Sequence, residues 1–176
     1  MIVRRRFIKS LVAGGILLPS IPQFLLGVEK GMDHSFSSIS DGSDMKEIRI
    51  ALIGKGGMGT ADTNTALSVG GVKLVAVCDL YDARLKLAKE QWGDHLFVTK
   101  DFQDILRRKD VDVVLIGTPD HWHQPIAIAA MKAGKHVYCE KPVIHKIEEG
   151  RELVDAQRAS GSYFQTGSQG MACLLY

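Results

Sequence analysis

Residues 48–59 read IRIALIGKGGMG, and this stretch is the most informative local pattern in the chain. Its first six residues form a short apolar run rich in β-branched side chains, which predicts a buried β-strand. Gly54, Gly56 and Gly59 follow with the spacing G-x-G-x-x-G and open a segment with a helical pattern over 58–69. Glycine-rich turns are common, but this spacing between a strand and a helix is typical of dinucleotide-binding loops.

The three glycines of this motif have separate roles in such a loop. Gly54 permits the tight turn, Gly56 lets the backbone approach a pyrophosphate, and Gly59 lets the helix pack closely on the strand. The helix N-terminus presents free N–H groups and a partial positive charge to the phosphates. We therefore expect the whole loop to bind the cofactor: Gly54, Lys55, Gly56, Gly57, Met58 and Gly59.

Asp79 ends the second predicted strand, 79 − 59 = 20 residues beyond the last glycine of the motif. A carboxylate at this position can accept hydrogen bonds from both ribose hydroxyls of an adenosine, and it repels a 2′-phosphate. The sequence therefore favours NAD over NADP as the cofactor, although Arg84 lies near enough to weaken that preference. The alternative interpretation is that Asp79 caps the helix that follows, which is compatible with a role in binding.

Strand and helix patterns alternate along the rest of the chain. This alternation predicts a parallel sheet that is covered by helices on both faces and connected by right-handed crossovers. We expect an α/β, doubly wound Rossmann fold of about six strands, with its ligand beyond the carboxyl ends of the strands. The predicted strands cover 48–53, 72–78, 96–98, 111–116, 136–139 and 163–166, and the predicted helices cover 58–69, 80–92, 102–108, 125–133 and 147–158.

The composition is that of a globular domain, with 45% hydrophobic and 24% charged residues among 176. A net charge of +2 is too small to favour nucleic acid as a partner. Cys78, Cys139 and Cys173 are far apart and form no CxxC pair, so neither a zinc knuckle nor a disulfide framework is indicated. Cys78 and Cys139 each end a predicted strand, where we expect them to be buried as small hydrophobic side chains.

The first part of the chain differs from the rest. A basic cluster, RRRFIK at 4–9, precedes an apolar stretch at 11–18, which is the layout of an export signal. Its order resembles the twin-arginine signal, which exports folded proteins and predicts a periplasmic or exported location. A Sec signal and a membrane anchor are the alternatives, but Pro19 and Pro22 disfavour a stable membrane span. We expect an export signal over 1–30, a linker over 31–46 and a dinucleotide-binding domain over 47–176.

Two further motifs follow the fourth and fifth predicted strands. They are Thr118-Pro119 with His123, and Glu140-Lys141-Pro142. Both lie where the nicotinamide half of a dinucleotide is expected to reach. With the glycine loop and Asp79, they make the chain resemble the Gfo/Idh/MocA family, named for glucose–fructose oxidoreductase and inositol dehydrogenase, over about residues 47–170.

The resemblance implies roles for these residues. It places Lys141 beside the nicotinamide ribose and the reacting carbon of a sugar or polyol substrate. An ammonium group there can hydrogen-bond the reacting hydroxyl and favour loss of its proton as hydride leaves. We therefore expect Lys141 to be catalytic, and the resemblance assigns cofactor binding to Thr118, Pro119, His123, Glu140, Lys141 and Pro142.

Three neighbouring side chains allow other interpretations. His121 and His123 could ligate a metal, but no third ligand is evident in the sequence, and we expect no metal site. Asp120 could cap the helix that follows. Trp122 either stacks near the cofactor or packs against the protein, and the sequence does not separate these alternatives.

The resemblance also implies a second α/β domain that follows the sixth strand and supplies substrate contacts and a catalytic histidine. Residues 47–176 number 176 − 46 = 130, which one dinucleotide-binding domain takes up. We therefore expect this chain alone to be inactive until the second domain is supplied. Three functions stay open: a sugar or polyol oxidoreductase, an NAD-dependent glycosidase of the same superfamily, and a truncated, non-catalytic cofactor-binding module. The oligomeric state is also left open.

Overall fold

A computed structural model describes residues 47–168, which form a six-stranded parallel β-sheet between two layers of helices. The strands are β1 (Ile48–Ile53), β2 (Val72–Cys78), β3 (Phe97–Thr99), β4 (Val113–Ile116), β5 (His136–Glu140) and β6 (Phe164–Gly167). The helices are α1 (Gly57–Leu67), α2 (Asp82–Trp92), α3 (Phe102–Leu106), α4 (His123–Lys132) and α5 (Glu149–Ser160), and a 3₁₀ turn covers Asp120–Trp122. The predicted export signal, the linker and Cys173 lie outside the described residues.

The strand order is β3-β2-β1-β4-β5-β6, and every pair is parallel. The predicted α/β, doubly wound Rossmann fold is therefore confirmed. The order reverses between β1 and β4, and sheets of this kind bind ligands at the carboxyl ends of the two strands that flank such a reversal. Ile53 pairs with Ile116 across these strands, and the N–H of Gly117 donates to the carbonyl of Ile53 at 2.9 Å. The loops after β1 and β4 thus leave the sheet side by side.

Both faces of the sheet are buried. Ala51 and Ile53 pack with α3, α4 and α5 on one face, and Ile50 and Leu52 pack with α1 and α2 on the other. All four side chains are at most 3% exposed. Because a strand covered on both faces has no solvent side, it reads as a continuous apolar run rather than an alternating pattern.

The predicted elements all exist, and their ends differ by at most two residues from the prediction. Helix α4 begins at His123, before Pro125, because a proline in the first turn removes only an N–H that has no partner within the helix. Helix α2 begins at Asp82 because Asp79 Oδ1 accepts a 3.0 Å hydrogen bond from the N–H of Tyr81 and holds the preceding residues in a turn.

Cys78 and Cys139 are 4% and 0% exposed, as predicted for small buried hydrophobic side chains. Over residues 47–168, no helix combines the length and the apolar character needed to cross a membrane.

Candidate dinucleotide-binding site

Three glycines hold the β1 loop, α1 and the β4 loop in contact, and we call Gly54, Gly59 and Gly117 the glycine junction. Gly54 has a φ of +93°, and a Cβ there would lie 2.7 Å from the carbonyl carbon of Gly117. A Cβ on Gly59 would overlap the carbonyl oxygen of Gly54, and one on Gly117 would lie 2.8 Å from the Cα of Gly59. The motif does not include Gly117, although a glycine directly after the neighbouring apolar run is a signal that could identify it.

The other two glycines of the loop, Gly56 and Gly57, border open space. A Cβ on Gly56 would meet only the carbonyl oxygen of Gly117, at 3.9 Å, and one on Gly57 would meet no atom of the described chain within 4 Å. Helix α1 begins here without a side-chain cap, and Met58 is 52% exposed beside it. The first N–H groups of a helix lack partners within it and attract phosphates. This open cradle therefore fits a pyrophosphate.

Asp79 lies at the end of β2 with its carboxylate buried. Its Oδ2 accepts hydrogen bonds from the N–H of Lys55 at 2.8 Å and from Arg84 Nη1 at 3.3 Å, and its Oδ1 accepts from the N–H of Tyr81. A carboxylate offers about four acceptor positions, so a further bond from a ribose hydroxyl is possible. The alternative interpretation, in which Asp79 caps α2, does not hold, because the residue before that helix is Tyr81 and no side chain caps it.

Two cations lie near this carboxylate. Arg84 pairs with it and is half-exposed, and its guanidinium carbon lies 5.0 Å from the ring centroid of Tyr81. The ammonium of Lys55 instead lies 3.2 Å from Gln91 Oε1 and 4.8 Å from the ring centroid of Trp92. Burial lowers the pKa of Lys55, while the nearby charge of Asp79 opposes that shift. Lys55 thus contributes its backbone N–H to the loop, while its side chain packs against the end of α2.

The loop after β4 lies at the end of the site where the sequence predicts the nicotinamide. The hydroxyl of Thr118 is buried and has no hydrogen-bond partner among the described residues. Such an orphaned group indicates that a partner is missing. Pro119 is exposed next to it, and the ring of His123 is buried beneath the loop, 2.7 Å from the carbonyl oxygen of Thr118. The residues at both ends of the crevice therefore fit a dinucleotide.

The Glu140-Lys141-Pro142 motif leaves the end of β5. Glu140 is 5% exposed, and Tyr138 donates to its Oε1 at 3.5 Å. Gly167 pairs with Glu140 across β5 and β6, and a Cβ there would overlap the same oxygen. Lys141 and Pro142 are exposed. The motif thus presents a lysine just beyond the carboxyl end of β5, and Gly167 is a residue that the sequence motif does not identify.

Asp120, which could have capped α4, does not do so, because the residue before that helix is Trp122 and no side chain caps it. Its Oδ1 accepts from the N–H of His121 at 3.0 Å, and its Oδ2 lies 3.4 Å from His145 Nδ1. These contacts hold the pKa of Asp120 below its usual value, and the backbone hydrogen bond from His121 makes the largest contribution. Trp122 is 47% exposed, with its ring centroid 6.5 Å from that of Phe102. Within residues 47–168, no three His, Cys, Asp or Glu side chains are arranged to hold a metal ion.

Comparisons with known proteins agree with this fold. A glycosyl hydrolase family 109 protein from Solibacter usitatus is 37% identical over 124 residues, which are 64% of this chain and 28% of that protein. The scyllo-inositol dehydrogenase of Lactobacillus casei, solved with bound cofactor NAD(H) and scyllo-inositol, matches with a TM-score of 0.65 at 33% identity. A myo-inositol 2-dehydrogenase from Lactobacillus plantarum gives a TM-score of 0.65 at 31% identity.

Each of these two structural matches covers 69% of this chain and 36% of the solved one. The family model described as "Oxidoreductase family, NAD-binding Rossmann fold" matches residues 48–168, which are nearly all of the described residues. The chain therefore belongs to the Gfo/Idh/MocA oxidoreductase family and contains its NAD-binding Rossmann domain.

Proposed function

We propose that this chain binds NAD across the ends of β1 and β4, as the cofactor-binding part of an enzyme that transfers hydride between a sugar or polyol hydroxyl and the nicotinamide. The observation that carries the proposal is the open cradle at Gly56 and Gly57. A buried carboxylate, Asp79, lies on one side of it and an orphaned buried hydroxyl, on Thr118, lies on the other. The relative with bound NAD(H) and scyllo-inositol supports the choice of cofactor and substrate class.

A preference for NAD over NADP is part of the proposal. The Asp79 carboxylate would repel a 2′-phosphate and accept hydrogen bonds from a ribose hydroxyl. Arg84 lies 3.3 Å from that carboxylate and offsets part of its charge. Titrations of the full chain with NADH and NADPH, followed by cofactor fluorescence, test this preference. Tighter binding of NADPH would contradict it.

Lys141 is the residue that we propose for proton transfer. A bound, oxidised nicotinamide would supply the hydride acceptor for the carbon that carries the reacting hydroxyl. Lys141 is exposed just beyond the carboxyl end of β5, where its amine can hydrogen-bond that hydroxyl and favour loss of its proton. The hydroxyl proton would pass to the neutral amine of Lys141 and the hydride to the nicotinamide, and the loss of both would oxidise the alcohol to a carbonyl.

This part of the proposal is tested by following NADH formation with a panel of polyols and sugars. The chain is assayed alone and with the family's second domain added, because it spans 36% of the length of the scyllo-inositol dehydrogenase. Lys141→Ala should abolish turnover in any active preparation, whereas Lys146→Ala, an exposed lysine of the same loop, should not. Equal turnover by the two variants would contradict a role for Lys141.

A second candidate is an NAD-dependent glycosidase, which the 37% identity to a glycosyl hydrolase family 109 protein favours. Such an enzyme would oxidise a sugar hydroxyl, eliminate the glycosidic leaving group, add water and return the hydride to the sugar. Product analysis separates the candidates. A free sugar released without net NADH formation indicates the glycosidase, and an oxidised sugar with equimolar NADH indicates the dehydrogenase.

We further propose that the chain is exported by the twin-arginine route, on the basis of the RRRFIK cluster at 4–9. Changing both Arg4 and Arg5 to lysine should block export, because that route depends on the paired arginines, whereas a Sec signal needs only positive charge. Cell fractionation measures the outcome. Undiminished periplasmic protein from the double variant would contradict the twin-arginine route.

A further inference from the structure

His123 lies between the two loops that carry the nicotinamide end of the site. It is the first residue of α4 and only 2% exposed. Its Nε2 lies 2.7 Å from the carbonyl oxygen of Thr118 in the β4 loop, and its Nδ1 lies 2.7 Å from the carbonyl oxygen of Pro142 in the β5 loop. One side chain therefore joins a backbone position 5 residues before it to another that lies 19 residues after it.

The chemistry of these two contacts defines what the ring can do. Carbonyl oxygens only accept hydrogen bonds, so the imidazole must be the donor in each bond that forms. A neutral ring carries one N–H and can donate to one of the two oxygens, and a protonated ring donates to both. In each case both ring nitrogens lie against protein carbonyls. The ring thus has no free nitrogen with which to bind cofactor, substrate or metal.

The two loops are anchored on either side of these carbonyls, because Gly117 packs against Gly59 and Val143 packs against the core. Pro119, Lys141 and Pro142 themselves are exposed, so core packing does not hold these three residues in place. Helix α4 is firmly anchored, because Ile126 and Ala127 in its second turn are 2% and 0% exposed in the core. His123 thereby connects a rigid helix to two exposed loop segments.

We propose that His123 is a positioning residue, which fixes the β4 and β5 loops to each other and so places Thr118 and Lys141 around the nicotinamide. This inference rests on the proposed NAD-binding function. It adds a residue that positions only the nicotinamide half of the cofactor. We assign the adenosine and pyrophosphate half to the glycine loop and Asp79, and the hydrogen bonds of His123 go to Thr118 and Pro142 rather than to either of these. A histidine that served only the stability of the fold would influence both halves alike.

The matched control is the next residue of the same helix. Gln124 is 8% exposed, and its amide donates to Glu152 in α5 at 2.9 Å rather than to either loop. Gln124→Ala therefore removes a buried polar side chain from α4 without touching the nicotinamide end. His123→Gln retains a donor that can reach one loop, and His123→Ala removes the connection altogether.

The test compares two probes on the full chain: NADH, which has the nicotinamide, and ADP-ribose, which lacks it. The unmutated chain should bind NADH more tightly than ADP-ribose. His123→Ala should weaken NADH binding about tenfold, with a smaller loss in His123→Gln, and leave the affinity for ADP-ribose within about twofold. Gln124→Ala should change neither affinity.

Three outcomes overturn the inference in distinguishable ways. Equal losses for NADH and ADP-ribose in His123→Ala would show a general structural role. Equal affinities of the unmutated chain for both probes would show that this end of the site does not hold the nicotinamide. Failure to bind either probe would contradict the proposed function itself, and the inference with it.

A second measurement covers the case in which His123→Ala does not fold. Nitrogen-15 NMR of the unmutated chain reports whether each ring nitrogen of His123 is hydrogen-bonded. We expect each ring nitrogen that carries a proton to be hydrogen-bonded to a carbonyl acceptor, and its N–H to exchange slowly with water. A freely exchanging, solvent-exposed ring would contradict the inference without any substitution.

Discussion

The backbone N–H of Lys55 donates a 2.8 Å hydrogen bond to the buried carboxylate of Asp79, across 24 residues of chain. This bond ties the glycine loop after β1 to the end of β2. The same carboxylate accepts a bond from the N–H of Tyr81, which shapes the turn before α2. Asp79 therefore stabilises the two loops that would surround an adenosine ribose, in addition to its proposed contact with that ribose.

Replacing this carboxylate should change cofactor selection. We expect Asp79→Ala to weaken NADH binding at least about tenfold, since hydrogen bonds to a charged group are among the stronger ones. NADPH binding should weaken less or improve, because Arg84 is then free to pair with a 2′-phosphate. Asp82→Ala is the matched control, since its exposed carboxylate pairs with Lys100 at 2.7 Å. An unchanged NADH-to-NADPH ratio in Asp79→Ala would contradict this role.

Gly117→Ala should destabilise the fold. Its new Cβ would lie 2.8 Å from the Cα and 3.0 Å from the N of Gly59, and backbone atoms cannot rotate away as a side chain can. We expect the free energy of unfolding in urea to fall by about 1–3 kcal/mol. Gly70→Ala should cost far less, because a Cβ there meets no atom of the described chain within 4 Å. Equal stability of the two variants would argue against the glycine junction.

Gly56→Ala, unlike Gly117→Ala, should leave the stability of the fold nearly unchanged and weaken cofactor binding. A Cβ on Gly56 has room within the protein, and the backbone there has an extended conformation, with a φ of −81°. The thermal midpoint should therefore stay close to that of the unmutated chain. NADH binding should weaken at least about tenfold, because the methyl group enters the space proposed for the pyrophosphate. Full NADH affinity in this variant would place the phosphates elsewhere.

Stability should fall at alkaline pH because of two buried thiols. Burial raises the pKa of Cys78 and of Cys139 to about 12, from an ordinary value of 9.0 that should apply in the unfolded chain. Between these values the unfolded state releases protons that the folded state retains. The free energy of unfolding therefore declines from pH 9 towards pH 12, by at most about 1.4 kcal/mol per pH unit for each thiol.

The contribution of one thiol is isolated by comparing the unmutated chain with Cys78→Ala in urea titrations from pH 8 to pH 11. The alanine variant should be less stable at neutral pH, because it leaves a small cavity, but it should show a shallower decline at high pH. Identical slopes for the two proteins would indicate that Cys78 is not protected by burial.

Local patterns in the sequence account for the elements and for the type of ligand. The run at 48–53, the glycines after it and Asp79 at the end of the next strand suffice to predict a strand, a phosphate-binding turn and an adenosine contact. The strand and the helix after it are confirmed, because strand burial and helix N-termini depend on residues close together in the chain.

Contacts between the strand ends could not be predicted in this way. Gly117 meets Gly59 only because β4 lies beside β1, and His123 reaches Pro142 only because β5 lies beside β4. The side chain of Lys55 packs against Trp92 at the end of α2, a contact that its place in the glycine motif does not predict. Strand order and register arise from burial summed over the whole sheet, and no local pattern encodes which loops that packing brings within hydrogen-bonding distance.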